Sequence, residues 1–311
     1  MKNIIITTVS LLALTACNNN EETTTTNPLD YPAEIHGIIN EHSQTAIESK
    51  TGKNNWEDGA TIGVTTAAGI SDLSYIATDD RNVKYVYSAD NDMFQVENIT
   101  GEDYNIYFKG PYMMSMTAYA PYIGERGVLP GIIKASTTGD KQIAEQRTAI
   151  DFLFAEGGGS QKKTRVDFLF SHRMGQIVFS FDTSGGIEIS NLSYTLSNVI
   201  LDGTFDTSSG TITTGNTIGD ITMSVSQDES MSSSLILFPQ KMTSSTILIV
   251  SMGGKTYAKA FDNEFEINSG KSYLLNVTIS PQAITVSPAQ ITDWTLEDDN
   301  SHYVTVINNN E

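Results

Sequence analysis

The sequence predicts an all-β protein, and three observations carry that reading. Apolar and polar residues alternate in short runs, among them Val166, Phe168 and Phe170, then Ile177, Phe179 and Phe181, and later Leu275, Val277 and Ile279. Clusters of Gly, Asn, Asp and Ser bound these runs. Helical spacing is thin: only Lys141 to Ala149 offers a helix, with one further turn near Ile38 to Ile47. A period of two places every second side chain on one face of an extended chain, which suits antiparallel sheets with one wet face. Two continuous apolar runs, Ser234–Phe238 and Thr246–Val250, read as central strands of a sandwich.

The N-terminus comes first in the chain and is not part of the sheets. Lys2 gives it a positive charge, Ile4 to Leu14 form a mostly apolar run, and Thr15 and Ala16 are small. That is the layout of a secretory signal peptide, too short to span a membrane stably. The sole cysteine of the chain, Cys17, follows at once. One cysteine closes no internal disulfide. Leu14-Thr15-Ala16-Cys17 instead resembles the bacterial lipobox, whose cysteine takes a diacylglycerol and becomes the new N-terminus after cleavage. Two or more acyl chains anchor firmly where one holds only marginally, so residues 1–16 are the expected signal and Cys17 the expected tie to the outer membrane. Residues 17–30 read as a tether. Asn18 to Asn27 contain no apolar residue and cannot bury enough surface to offset their ordering entropy. Asn18 rather than Asp follows the cysteine, and Glu21-Glu22 is similar to acid-rich tags that route some lipoproteins to the cell surface.

Composition narrows the partners. Loss of the signal removes Lys2 and no acid, leaving 17 basic and 37 acidic residues, a formal net charge of −20. So acidic a surface repels nucleic acid and anionic lipid heads. About 280 residues beyond the tether are enough for two domains, each with its own core. The stretch "AEGGGSQKKTR", from Ala155 to Arg165, reads as a hinge between two strand-rich halves. The expected division is therefore 31–158 and 159–311.

Chemistry-bearing constellations are sparse. His36, His42, His172 and His302 are scattered, without the pairing of a zinc site. His172 on its alternating strand reads as a hydrogen-bonded structural residue. Asp90-Asn91-Asp92 has the residue types for calcium but lacks the glycine and closing glutamate of a loop site, and reads as a solvated turn. No nucleophile–base pair, nucleophile elbow or phosphate loop appears. Neither an enzyme nor a cofactor is expected.

Six blocks stand in order along the chain: "WEDGATIGV" from Trp56, "TAYAPY" from Thr117, "DFLFA" from Asp151, "VDFLFSHRMGQIVFSF" from Val166, "LILFPQ" from Leu235 and "ITDW" from Ile291. Behind a lipobox, this ordered set resembles the fimbrillin-like family, lipoproteins of oral and gut anaerobic bacteria that build type V fimbriae. The resemblance spans the chain from about Ile35 and departs at Ala60, where the family often has aspartate. It implies two tandem transthyretin-like β-sandwiches and assembly by strand exchange: a protease removes the first strand, and a neighbouring subunit's strand fills the groove. Here the removable strand would include Ile35, Ile38 and Ile39. The donor would come from "HYVTVIN", with Val304 and Val306 on one face, a segment that equally suits a last strand of the second sandwich. The family cut follows an arginine, but none lies between Cys17 and Arg81, so Lys50 and Lys53 are the candidate processing residues. The implied partners are other fimbrial subunits and host or bacterial surface ligands. The competing reading is a surface lipoprotein that binds glycan or a host ligand without polymerising, with "YMMSMTAYAPY" from Tyr112 as its most aromatic window.

Overall fold

An extended segment makes no internal hydrogen bonds, so a chain of alternating side chains must satisfy its backbone strand to strand. The structure is a computed structural model and describes residues 31–39, 56–66, 80–97, 104–108, 111–186, 191–225 and 231–294. It is all-β, as the sequence predicts. Cys17, His42, Lys50, Lys53, His302, Val304 and Val306 lie outside the described residues.

The first half of the chain runs β1 (Tyr31–Pro32), β2 (Glu34–Ile39), β3 (Thr61–Thr66), β4 (Val83–Ser88), β5 (Met93–Val96), β6 (Tyr107–Phe108), β7 (Met114–Ala120), β8 (Ile132–Ser136), α1 (Ala144–Arg147), β9 (Leu153–Gly159) and β10 (Arg165–His172). Seven of these strands form one closed sheet in the order β10-β2-β5-β4-β3-β7-β9. Pairs Ser171↔Phe154 and His172↔Leu153 bring β9 back to β10. The expected sandwich is here a closed barrel, although its closure is thin in places, β2 meeting β5 through one pair. Ile35, Val64, Tyr85, Phe94, Val166 and Phe168 are among the side chains that fill it.

The second half runs β11 (Gly175–Thr183), β12 (Ser193–Ile200), β13 (Asp202–Asp206), β14 (Ile212–Thr214), β15 (Ile218–Ser224), β16 (Ser232–Leu237), β17 (Gln240–Met242), β18 (Ile247–Met252), β19 (Lys255–Ala260), β20 (Phe265–Ile267), β21 (Lys271–Ile279), β22 (Ile284–Val286) and β23 (Gln290–Asp293). One sheet has the order β16-β11-β21, with β22 and β23 both on the far edge of β21; the other is β15-β12-β18-β19. Their apolar faces meet in a core that includes Ile177, Phe179, Tyr194, Leu196, Leu248 and Leu275. This is the sandwich that the alternation predicts.

The halves are stitched together. β8 pairs not within the barrel but with β13, from Asp202↔Ser136 to Asp206↔Ile132. A third apolar cluster draws Tyr119, Phe152 and Phe154 from the first half and Phe205, Ile236, Phe238 and Trp294 from the second.

Several sequence expectations need correcting. The glycine stretch is not a hinge, because Gly157 to Gly159 lie within β9, paired to β7 through Met114↔Gly159 and Met116↔Gly157. A Cβ on Gly159 would fall 2.3 Å from a Phe108 ring carbon, so the missing side chain makes room for a core ring. Ser160 and Lys163 then exchange backbone hydrogen bonds of 2.9 Å in a tight turn into β10. The chain therefore leaves the barrel at Arg173–Met174 rather than at the glycines. The helix is shorter than Lys141–Ala149, and a 3-10 turn over Gly139–Lys141 precedes it. Ile38 and Ile39 belong to a strand, not a helical turn. Of the two apolar runs expected at sheet centres, Thr246–Val250 supplies β18, which is central. β16 is an edge strand, apolar on both sides because Leu235 and Leu237 face the sandwich core while Ile236 faces the third cluster.

Candidate functional site: the first barrel strand and its seat

β2 is seated unequally between its neighbours. On one side it makes six consecutive parallel pairs with β10, from Arg165↔Glu34 to Phe170↔Ile39. On the other it makes a single antiparallel pair with β5, Ile35↔Phe94. Its entry is pinned by backbone bonds from Ala33 N to Ile106 O, 2.8 Å, and from Glu34 N to Thr164 O, 3.0 Å. Further along, the Gly37 carbonyl accepts the indole N–H of Trp56 at 3.0 Å.

The alternation Ile35, Gly37, Ile39 points inward, and each is buried. Burying the two isoleucines contributes roughly 1.5–3 kcal/mol apiece. Ile38 turns outward, 53% exposed, beside its ladder partner Leu169 at 56%. Among the three isoleucines named from the sequence, Ile35 and Ile39 are therefore seat-facing and Ile38 is not.

Beneath the strand lies an aromatic seat. Phe94 on β5 and Phe170 on β10 are fully buried. Trp56 meets both edge-on at 5.1 Å, with interplanar angles of 83° and 82°. A Cβ on Gly37 would lie 2.9 Å from a ring carbon of Phe94 and 2.9 Å from one of Phe170. The rings thus occupy the volume that any other residue at 37 would claim. Trp56 and Gly37 were legible as part of a motif and of an alternating face, but not as a contact pair, since their meeting depends on the barrel's closure. Taking β2 away would uncover the inward face of β10 and its backbone groups, an apolar floor with an open hydrogen-bonding edge.

The remaining residues singled out in the sequence have local roles. Asp90 to Asp92 form the β4–β5 turn, where Asp92 accepts the Tyr87 hydroxyl at 2.8 Å. His172 Nδ1 lies 2.7 Å from Asp151 Oδ1, and its ring stacks on Trp294 at 4.0 Å and 8°. His36 is half-buried on the outer side of β2. Neither tryptophan forms an exposed platform: Trp294 is buried and Trp56 half-buried. In the aromatic window from Tyr112, Tyr112 is 75% exposed and Tyr119 is buried.

The profile of the fimbrillin-like family matches residues 49–294. The chain belongs to the fimbrillin-like family. Among solved structures, this fimbrillin-like chain is similar to a proposed cell-adhesion protein of Bacteroides ovatus, with 31% identity and a TM-score of 0.78 over 86% of this chain and 99% of that one. It is also similar to a proposed cell-adhesion protein of Bacteroides uniformis, at 18% identity and a TM-score of 0.65 over 86% and 99% of the two chains. No curated protein matches the chain.

Proposed function

We propose that this fimbrillin-like protein is a structural subunit of a cell-surface fimbria that joins its neighbours by exchanging β2. The observation that carries the proposal is the unequal seating of β2: a full parallel ladder on one side, one pair on the other, and an apolar floor below. A strand held mainly along one edge can be replaced by another offering the same backbone bonds and inward apolar residues. Family membership supports the reading, as does the absence of an exposed tryptophan platform among the described residues. Export, lipidation at Cys17 and a tether over residues 17–30 would hold the subunit at the outer membrane until it is processed. Cleavage between β2 and Trp56, at Lys50 or Lys53, would free the strand while leaving the tryptophan in place. The donor strand is then a neighbouring subunit's, with the segment around Val304 and Val306 as this chain's own candidate.

Limited proteolysis followed by sizing tests the proposal. Cleavage at Lys50 or Lys53 should let the chain enter ladders that resist SDS when other fimbrial subunits are present, and deletion from His302 onward should remove those in which this chain is the donor. A cut protein that stays monomeric in mixtures with other fimbrial subunits refutes the exchange. Fractionation of a Cys17→Ala variant tests the anchor, and full recovery of that variant in membranes argues against it.

A further inference from the structure

The slot at Gly37 constrains what can replace β2. Three inward residues, Ile35, Gly37 and Ile39, face the seat, and the middle one has no side chain. Its absent Cβ is not spare room, because ring carbons of both Phe94 and Phe170 stand 2.9 Å from that position. The rings cannot swing away freely. Both are buried, and Trp56 packs edge-on against each of them. Trp56 donates its indole N–H to the Gly37 carbonyl, a bond that an incoming strand's backbone can offer in turn. Any incoming strand, in either direction, alternates its side chains with the same period and so brings one inward residue under these rings.

The segment from Thr295 to Glu311 meets this demand poorly. It contains neither glycine nor alanine. If it presents Val304 and Val306, a valine arrives at the slot; if it presents Tyr303, Thr305 and Ile307, the central residue is a threonine. Both are β-branched, the bulkiest shape at Cβ. Sliding the register offers Ser301 or Asn308 instead, each still carrying the Cβ that the rings exclude.

We propose that the seat of β2 is keyed to a donor strand with glycine at its central inward position, flanked two residues away by aliphatic side chains. Its donor is therefore a different fimbrial subunit carrying such a strand, not residues 295–311 of a second copy of this chain. This rests on the strand-exchange reading above and names the partner for that same seat.

The experiment uses the full chain with a recognition site for a sequence-specific protease inserted between residues 40 and 55. After cutting, the β2 fragment stays bound through its ladder, and labelled peptides compete for the seat. A peptide of residues 31–39 should exchange in. The same peptide with Gly37→Ala, and a peptide of residues 300–309, should exchange at least about tenfold less, the scale of forcing an extra group into a packed core. Combining Tyr303→Ile with Thr305→Gly in the second peptide, which sets the glycine two residues from Ile307 and from an introduced isoleucine, should recover exchange. If the 300–309 peptide enters as well as the 31–39 peptide, the glycine key is wrong although exchange itself stands. If not even the 31–39 peptide enters, β2 is not exchangeable, and the strand-exchange reading falls together with this inference.

Discussion

At the scale of single residues, the barrel's polar details are as demanding as its apolar ones. Asn82 is fully buried with a φ of 50°, a left-handed conformation that asparagine tolerates better than most side chains. Its amide donates to the Ile123 and Glu125 carbonyls at 3.0 Å, and its oxygen accepts the Tyr119 hydroxyl at 2.7 Å. Tyr119 also accepts from Ile123 N at 3.2 Å. Burial pushes the Tyr119 phenol up to about 12, against the lowering effect of its bond to the Ile123 backbone. The sign follows directly. In the unfolded chain the phenol ionises near its ordinary value of 10.0. Above that pH the unfolded state sheds a proton the folded state retains, so the stabilisation present in full below pH 10 is lost as pH rises towards about 12. Tyr194 is shifted the same way, again by burial. Urea unfolding across this range should therefore show a falling alkaline limb. Tyr119→Phe should flatten that limb without abolishing it. The same change should lower stability at neutral pH by about 1–3 kcal/mol, because buried partners lose their bond.

At the scale of elements, the edge of β16 is guarded by one side chain. Gln142 donates to the Ile236 carbonyl at 2.9 Å, and its own carbonyl accepts from Ile236 N at 2.9 Å. The amide thus reproduces the two bonds a neighbouring strand would give. Arg147, on α1, adds a bond to Ser234 Oγ at 2.7 Å. Gln142→Ala should cost about 2–4 kcal/mol, since it strands two buried backbone groups, and should leave β16 a bare edge prone to self-association. The urea midpoint and light scattering measure the two effects. Strand identity was largely legible: Val166, Phe168 and Phe170, like Ile177, Phe179 and Phe181, are buried as their alternation demands. Pairing was not. β2 lies parallel to β10, and β11 lies parallel to β21 over eight pairs. Parallel and antiparallel ladders impose the same period of two, so no pattern within one strand announces its partner's direction. The glycines of β9 misled for a related reason. A hinge and a strand that yields space to Phe108 leave the same trace in sequence. Of the candidate site, the inward face of β2 could be read, while the ring pair opposite Gly37 depends on strands far away along the chain.

At the scale of the whole molecule, the shared third cluster ties barrel and sandwich together. Phe152 stacks on Phe205 at 4.6 Å and 11°, a contact across the two halves. Phe152→Ala should cost about 3–5 kcal/mol. Because it strikes the junction rather than either core, calorimetry should show two transitions for the variant where the intact junction is expected to give one. A variant that still melts in one step would mean that β8–β13 pairing alone couples the halves. The ladder of β2 has a further consequence for the order of folding. Thr164, which bonds Glu34, stands 130 positions further along the chain. β4–β5 and β9–β10 are each joined by local turns and can pair as they emerge. β2, made before any of them, has to wait for β10, the last strand of its barrel, and closing so long a loop is slow. The earliest strand of the barrel is thus expected to be the last seated. What is added last to a framework already standing is also what can be withdrawn without dismantling it, so such an order of assembly would suit the removal of the first barrel strand that the proposed exchange requires.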